Sequence, residues 1–199
     1  MITIGITGGI GTGKSTVSDY LQGKGYRIID CDAISRGITK AGSPALEELR
    51  QAFGDGIFRE NGELDRKKTA AVVFSDPEKK AKLERIVTDR VFDELERSIR
   101  RAKDDGLPAV FLDAPILFET GADRLCDKVW LVTAEEDLRI RRVASRDGMT
   151  AEEVRRRIRS QMPEEEKKKR SDSVLDNSGS VRDLEAQIDE LLRKIKNSI

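Results

Sequence analysis

Apolar and polar positions alternate along the chain with two different periods, and the period of two comes first. Ile2, Ile4 and Ile6 mark a strand that leads into a glycine-rich turn. The period then becomes that of an amphipathic helix over 14–24, and a second short strand follows over 27–30. This order of strand, helix and strand is typical of a β-α-β unit in a parallel sheet.

Further apolar runs predict the rest of that sheet, at 109–113, 128–133 and, more briefly, 174–175. Between 43 and 103 the pattern is helical, and Ser43-Pro44 and Asp76-Pro77 each place an N-cap before a proline. The sequence therefore predicts an α/β fold whose sheet is interrupted by a helical insertion.

The last third of the chain is mostly helical and rich in charge. The segment 135–170 is densely basic, and within it Thr150 and Glu153 have the spacing of a capping box. Pro163 begins another short helix, and a final amphipathic helix follows Ser180. We interpret the basic segment as a mobile flap.

Charge and composition narrow the classes of partner. The 199 residues include 37 basic and 37 acidic side chains and no histidine. Balanced charge gives no bulk attraction to nucleic acid or to an anionic membrane, so neither is expected as a partner. The sequence has no apolar run of membrane-spanning length and no signal-peptide pattern, and we expect a cytoplasmic location. We also expect a monomer. Without histidine, acid-base chemistry must use carboxylates or other charged groups.

The strongest motif is the glycine-rich turn itself, which matches a phosphate-binding P-loop from Gly8 to Ser15. Its glycines let backbone N–H groups curl around a phosphate at a helix N-terminus. In this pattern Lys14 reaches the β- and γ-phosphates and the Ser15 hydroxyl ligates Mg²⁺. A glycine-rich turn without a ligand is the alternative, and the position between a predicted strand and helix favours the P-loop.

Asp30 and Asp32 lie two residues apart at the end of the second predicted strand. In an extended segment both side chains point the same way, toward the P-loop side of the sheet. One could orient Mg²⁺ and the other accept the proton of an acceptor hydroxyl. The alternative is that these aspartates cap a helix beginning near Ala33.

Asp113 closes an apolar run and therefore has the position of a Walker-B carboxylate that holds Mg²⁺. It could equally be a turn residue before Pro115.

Eight arginines between 139 and 159 supply donors suited to phosphate oxygens, namely Arg139, Arg141, Arg142, Arg146, Arg155, Arg156, Arg157 and Arg159. Arg142 and Arg146 share a helix face and could reach the nucleotide together when a flap closes. For most of the eight, a solvated face paired with neighbouring glutamates is the better interpretation.

Five segments resemble the dephospho-CoA kinases, a P-loop family of the nucleoside-monophosphate-kinase-like group. They are TGGIGTGKST (7–16), IIDCDAISR (28–36), DAPILFE (113–119), RRVASRDGMTAEEVRRRIRSQ (141–161) and DSVLDNSGS (172–180). The resemblance implies a five-stranded parallel P-loop kinase fold that uses ATP and Mg²⁺. It also implies transfer of the γ-phosphate to the ribose 3′-hydroxyl of dephospho-CoA, which gives coenzyme A.

The resemblance further implies a role for individual residues. Asp32 would be the catalytic base, with Lys14 and Arg142 also catalytic, and Ser15, Asp30 and Asp113 would serve Mg²⁺. ATP would contact Gly8, Gly9, Gly11, Thr12, Gly13, Lys14, Ser15, Thr16 and Asn177. Dephospho-CoA would contact Thr7, Asp32, Arg36, Pro115, Leu117, Phe118 and Glu119. The chain would divide into a nucleotide-binding core (1–32, 107–138 and 171–199), a helical dephospho-CoA-side domain (33–106) and an arginine-rich lid (139–170).

Two positions depart from the family pattern, since Asp89-Arg90 replaces a His-Pro pair and Ser171-Asp172 replaces an Ala-Asp pair. Two other functions remain open from the sequence. One is a P-loop kinase acting on a nucleoside monophosphate, a nucleoside or a similar alcohol. The other is a nucleotide-dependent switch, although the sequence has no guanine-reading Asn-Lys-x-Asp tetrapeptide.

Overall fold

The computed structural model describes residues 1–74 and 76–197, which form two compact units. The first unit contains Met1–Asp30 and Ile99–Ile199, and the second contains Cys31–Ser98. The segment 139–170 falls within the first unit in this division, and its movement as a lid stays a prediction.

Five strands and ten helices are present in the described residues. The strands are β1 (Ile2–Gly8), β2 (Arg27–Asp30), β3 (Ala109–Asp113), β4 (Lys128–Thr133) and β5 (Ser173–Asp176). The helices are α1 (Lys14–Gly23), α2 (Cys31–Ile38), α3 (Pro44–Phe53), α4 (Arg66–Phe74), α5 (Pro77–Asp104), α6 (Leu117–Thr120), α7 (Glu136–Asp147), α8 (Ala151–Arg159), α9 (Glu164–Arg170) and α10 (Val181–Lys196).

The sheet of the first unit is wholly parallel, with strand order β2-β3-β1-β4-β5. This confirms the predicted α/β fold, and β2, β3 and β4 have the predicted bounds. Only β5 is longer than the pair 174–175, by one residue at each end. Because β1 is the central strand, the loop that follows it emerges from the middle of the sheet.

One face of the sheet carries the main hydrophobic core. Ile4 and Ile6 of β1 are fully buried there against Val17 and Leu21 of α1, as the period of two predicts, and α10 covers the same cluster. The ring of Phe111 lies with its centroid 5.3 Å from that of Trp130. These contacts attach α1, and hence its N-terminus, rigidly to the central strands.

The opposite face is covered by short helices, with α6 against β1 and α9 against β4. Lys167 of α9 is only 2% exposed, and its ammonium group lies 2.9 Å from Glu119 Oε1 of α6. The same carboxylate oxygen accepts a hydrogen bond from Met162 N at 3.3 Å. Burial raises the pKa of Glu119, but these hydrogen bonds outweigh it and hold the pKa below its usual value. An ion pair therefore joins the two helices on this face.

The basic segment folds into two helices that pack on each other. Ile140 and Val143 of α7 are buried with Val154 of α8, and Ile10 of the P-loop packs against this cluster. Thr150 and Glu153 form the predicted capping box, with Thr150 N donating to Glu153 Oε2 at 2.8 Å. The charged helices thus have an apolar side that contacts the loop.

The second unit is helical, apart from one isolated antiparallel bridge between Phe58 and Leu64. Ser43 caps α3 and Asp76 accepts hydrogen bonds from the first turn of α5, which confirms both predicted starts. Its core is built from Leu46 and Leu49 of α3 together with Ile57, Phe58 and Ile86.

The extended geometry predicted for Asp30 and Asp32 is wrong. The strand β2 ends at Asp30 and α2 begins at Cys31, so Asp32 lies in the first turn of a helix. A change of backbone conformation between the two residues removes the period of two on which the prediction depended. A carboxylate in the first turn of a helix is stabilised by the helix dipole. The position of Asp32 therefore also fits the alternative interpretation, in which this residue stabilises the start of a helix.

None of the helices in the described part of the chain combines the length and the apolar composition needed to cross a bilayer.

Lys167→Met should lower the free energy of unfolding by roughly 1.5–3 kcal/mol at pH 7, because Glu119 then loses its charged hydrogen-bond partner. Urea denaturation measures this change. Lys169→Met, in the same helix at an exposed position, is the matched control and should have a much smaller effect. Equal losses in the two variants would contradict a stabilising pair.

Glu119→Gln should cost more stability at pH 7 than at pH 3. A carboxyl group whose pKa is lower in the folded than in the unfolded state contributes stability above its unfolded pKa, and loses it as the pH falls through the folded pKa. Denaturation curves of the variant and the parent protein at both pH values test this. A pH-independent difference would rule out the ionised carboxylate as its source.

Candidate active site

The P-loop lies between β1 and α1, with its glycines at the bend. Gly13 has a φ of 84° at the N-cap of α1, in the left-handed region that glycine adopts without strain. Thr12 Oγ1 donates to Gly9 O at 2.9 Å and closes the loop on itself. The first turn of α1 therefore begins at the carboxyl edge of the central strand, where phosphates bind in this motif.

Asn177 and Arg142, both predicted from the resemblance, lie next to this loop. Asn177 is 4% exposed, and its Nδ2 donates to Thr12 O at 2.8 Å. Arg142 Nη2 in turn donates to Asn177 O at 3.1 Å. The side-chain amide of Asn177 is thus committed to the loop backbone, so this residue supports the loop whatever else it contacts.

The predicted metal carboxylates lie at the ends of two paired strands. Asp30 of β2 and Asp113 of β3 are direct partners in the parallel register. Asp113 Oδ1 forms an ion pair with the Lys14 ammonium group, and its Oδ2 accepts from Ser18 Oγ at 2.6 Å. Ser18, one turn beyond Lys14 on α1, was missed by the sequence analysis, because a serine in a helix carries no signal until its partner is known.

A cavity of about 310 Å³ opens at the loop. Lys14 and Ser15 line it with the loop glycines, and Pro115, Arg146 and Gln161 complete its wall. Gln161 is a second residue that sequence reasoning did not single out. Two cationic side chains, Lys14 and Arg146, therefore line one cavity at the N-terminal end of α1, an arrangement typical of anion binding.

The predicted acceptor residues of the first unit are Thr7 in β1 and four residues that follow β3. Thr7 Oγ1 donates to Pro115 O at 3.3 Å, and Glu119 is held in the ion pair with Lys167. Leu117 and Phe118 are buried inside the unit. Contacts of these residues with an acceptor stay a prediction.

The remaining predicted acceptor residues, Asp32 and Arg36, both lie on α2 in the second unit. Their roles stay predictions. In the same unit, Arg90 of the pair that departs from the family pattern donates to Glu48 Oε2 at 2.9 Å and to Asp93 Oδ2 at 3.3 Å. Arg90 is therefore held by ion pairs with two carboxylates.

The arginines divide into two groups. The four on α8 are exposed, as a solvated helix face requires. On α7, Arg139 is only 6% exposed and lies 3.2 Å from Glu164 Oε2. Burial lowers the pKa of Arg139 although Glu164 and Glu136 act to raise it, and a guanidinium remains charged under these conditions. A solvated face therefore does not describe Arg139.

Comparison with known proteins gives a consistent result over nearly the whole chain. The sequence model of the dephospho-CoA kinase family matches residues 2–183. The chain is 45% identical over 199 residues to a dephospho-CoA kinase of Corynebacterium efficiens, with all of both chains covered. It is 42% identical over 193 residues to the dephospho-CoA kinase of Carboxydothermus hydrogenoformans, covering 97% of this chain and 94% of that one.

Solved structures agree with these matches. The protein TT1252 of Thermus thermophilus is 42% identical, with a TM-score of 0.77 and 97% of each chain covered. A dephospho-CoA kinase from Campylobacter jejuni is 25% identical, with a TM-score of 0.69 over 99% of this chain and 98% of that one. The sheet order, the P-loop and the full-length sequence matches lead to one conclusion: the chain belongs to the dephospho-CoA kinase family.

Proposed function

We propose that this protein transfers the γ-phosphate of ATP to the ribose 3′-hydroxyl of dephospho-CoA. Membership of an ATP-dependent kinase family supports the reaction class, and the matched relatives are named for this acceptor. The observation that carries the proposal is the P-loop, which follows the central strand of the sheet. Lys14, at the end of this loop, forms an ion pair with Asp113 at the carboxyl end of β3. Positioning and charge stabilisation are the main catalytic requirements of phosphoryl transfer.

The phosphate side of the reaction uses groups of the first unit. The loop amides and Lys14 bind the β- and γ-phosphates, where charge is carried as the transferred group leaves ATP. Arg142 is the best candidate for a second cation, because its Nη1 is buried and has no hydrogen-bond partner within residues 1–74 and 76–197. A buried donor of this kind is stabilised when it donates a hydrogen bond to a phosphate oxygen.

The donor set at the ends of β2 and β3 fits Mg²⁺ bound together with phosphates. Asp30 and Asp113 are neighbouring carboxylates and Ser15 adds a hydroxyl, while no cluster of three or more His, Cys, Asp or Glu occurs in the described residues. Mg²⁺ in kinases takes one or two carboxylates and completes its shell with phosphates and water. When bound, it would offset the charge of the phosphate oxygens.

On the acceptor side, we assign Asp32 the role of the base. The chain has no histidine, so a carboxylate is the available acceptor for the proton of the 3′-hydroxyl. The hydroxyl oxygen forms its bond to the γ-phosphorus as the bond to the β,γ-bridging oxygen breaks, and the proton passes to Asp32. Support for this role comes from the match of Asp32 to the family motif, and we place Arg36, one helical turn further on, beside the acceptor.

The substrate assignment is tested by offering dephospho-CoA, AMP, CMP and a nucleoside separately with ATP and Mg²⁺, and by measuring ADP release and the phosphorylated product. Dephospho-CoA should be preferred by at least about 100-fold in kcat/KM, since a site built around polar groups of its substrate rejects analogues that lack them. A preference for AMP or CMP would contradict the assignment of dephospho-CoA as acceptor, while the assignment of kinase activity would stand. Slow ADP release without any phosphorylated product would indicate a nucleotide-dependent switch.

Lys14→Ala should reduce turnover by roughly 100-fold or more, because it removes a preorganised charge from the phosphates. The ion pair of Lys14 with Asp113 means that some stability is lost as well. Lys24→Ala is the matched control, since Lys24 follows the same helix and is paired with Asp189 at 2.7 Å. Similar turnover in both folded variants would contradict the P-loop assignment.

Asp32→Asn should leave ATP binding intact and lower phosphoryl transfer by roughly 100-fold or more, because the amide cannot accept the proton. Asp30→Asn should instead shift the Mg²⁺ concentration needed for half-maximal rate. Single-turnover transfer to dephospho-CoA at saturating ATP measures both, with the exposed Asp104→Asn as control. Normal phosphoryl transfer by Asp32→Asn would show that this carboxylate is not the base and only stabilises the start of α2.

A further inference from the structure

The peptide groups of Ile10, at the bend of the P-loop, are held on both sides by side chains from far along the chain. Its N–H donates to Gln161 Oε1 at 2.9 Å, across 151 positions of sequence. Its carbonyl oxygen accepts from Arg139 Nε at 3.0 Å, across 129 positions. The Ile10 side chain also packs on the apolar side of α7 and α8. Three separate contacts therefore fix a single loop residue.

These contacts leave no room for a side chain at the preceding residue. A Cβ on Gly9 would lie 2.5 Å from Arg139 Nη2 and 3.2 Å from Gln161 Oε1. Arg139 is in turn fixed by its ion pair with Glu164 and by burial. The two side chains are thus packed directly on the loop backbone.

The helix α7 also supports a second carbonyl of the loop, through Asn177. Arg142, one turn after Arg139, donates to Asn177 O, and Asn177 Nδ2 donates to Thr12 O. The carbonyls of Ile10 and Thr12 are therefore both held from α7, the first directly and the second through Asn177. Glycine has little intrinsic conformational preference, so these external bonds determine how the neighbouring amides are aimed.

We propose that Gln161 and Arg139 are positioning residues for the nucleotide. They hold the Ile10 peptide so that the loop amides keep the curvature that a phosphate requires, and they tie that curvature to the placement of Arg142 on α7. Gln161 also lines the phosphate cavity, so a charge at its position would face the phosphates directly. The inference rests on the proposed function, because it concerns the geometry of that same ATP site.

Gln161→Met and Gln161→Glu separate positioning from charge. Methionine has a similar length but cannot accept the Ile10 hydrogen bond, so the Ile10 amide should exchange with solvent hydrogen at least about 10-fold faster. The affinity for ATP should fall about 3- to 10-fold, the worth of one hydrogen bond. Glutamate keeps the acceptor, so Ile10 should stay protected, while ATP affinity falls in a way that added salt reduces, because ions screen the new charge.

The matched control is Gln187→Met. Gln187 makes the same kind of bond in the same unit, since its Oε1 accepts from Asp176 N at 2.9 Å. This variant should show a comparable loss of thermal stability without faster exchange at Ile10. Arg139→Lys is the companion variant, because it keeps the charge beside Glu164 while removing the Nε donor to Ile10, and it should weaken ATP binding as Gln161→Met does.

Unchanged Ile10 exchange or unchanged ATP affinity in Gln161→Met would overturn the proposal. A drop in thermal stability larger than that of Gln187→Met, with normal ATP affinity in the folded fraction, would also overturn it and leave Gln161 structural. Amide exchange and ATP binding are measured without any acceptor. A failure of the acceptor assignment therefore leaves this test intact, and a failure of this test leaves the kinase assay unaffected.

Discussion

The backbone of the P-loop is held by side chains that come from outside the loop. The backbone groups of Ile10 and Thr12 form hydrogen bonds with side chains that lie more than a hundred positions away in the sequence. The remainder of the site depends on that constraint, because Lys14 begins the helix that the loop leads into and its partner Asp113 lies at the end of a neighbouring strand. A loop that relaxed would move the charge and the amides together.

Much of the fold could be predicted because local pattern and tertiary position agree. Three strands had the predicted bounds, and the caps at Ser43, Asp76 and Thr150 were identified from residues within one turn of each other. The P-loop was equally clear, because its sequence motif lies in eight consecutive residues, 8–15. Information of this kind does not require knowledge of what packs against the segment.

The rest depends on contacts between distant residues, which a single sequence does not reveal. Arg139 and Lys167 belong to strongly charged helices, yet both are buried against a carboxylate. Gln161 belongs to no recognisable motif, and only its hydrogen bond with Ile10 in the structure indicates a role for it. The prediction of an extended geometry for Asp30 and Asp32 was wrong for a different reason. The chain changes from strand to helix between these two residues, and no local pattern in the sequence marks that position.

The order of strands also affects how the chain is made. The central strand β1 is synthesised first, but Ile2 pairs with Ala109, 107 positions later (109 minus 2), and the other neighbour, β4, comes later still. At roughly 5–20 residues per second, the ribosome needs about 5–20 s to supply the first of these partners. Until then β1 has neither of its neighbouring strands, and unpaired strand edges promote association with other chains. Val17 and Leu21 of α1 pack on Ile4 and Ile6, so the helix that follows the P-loop is the first element along the chain that can cover this strand before its partner strands exist.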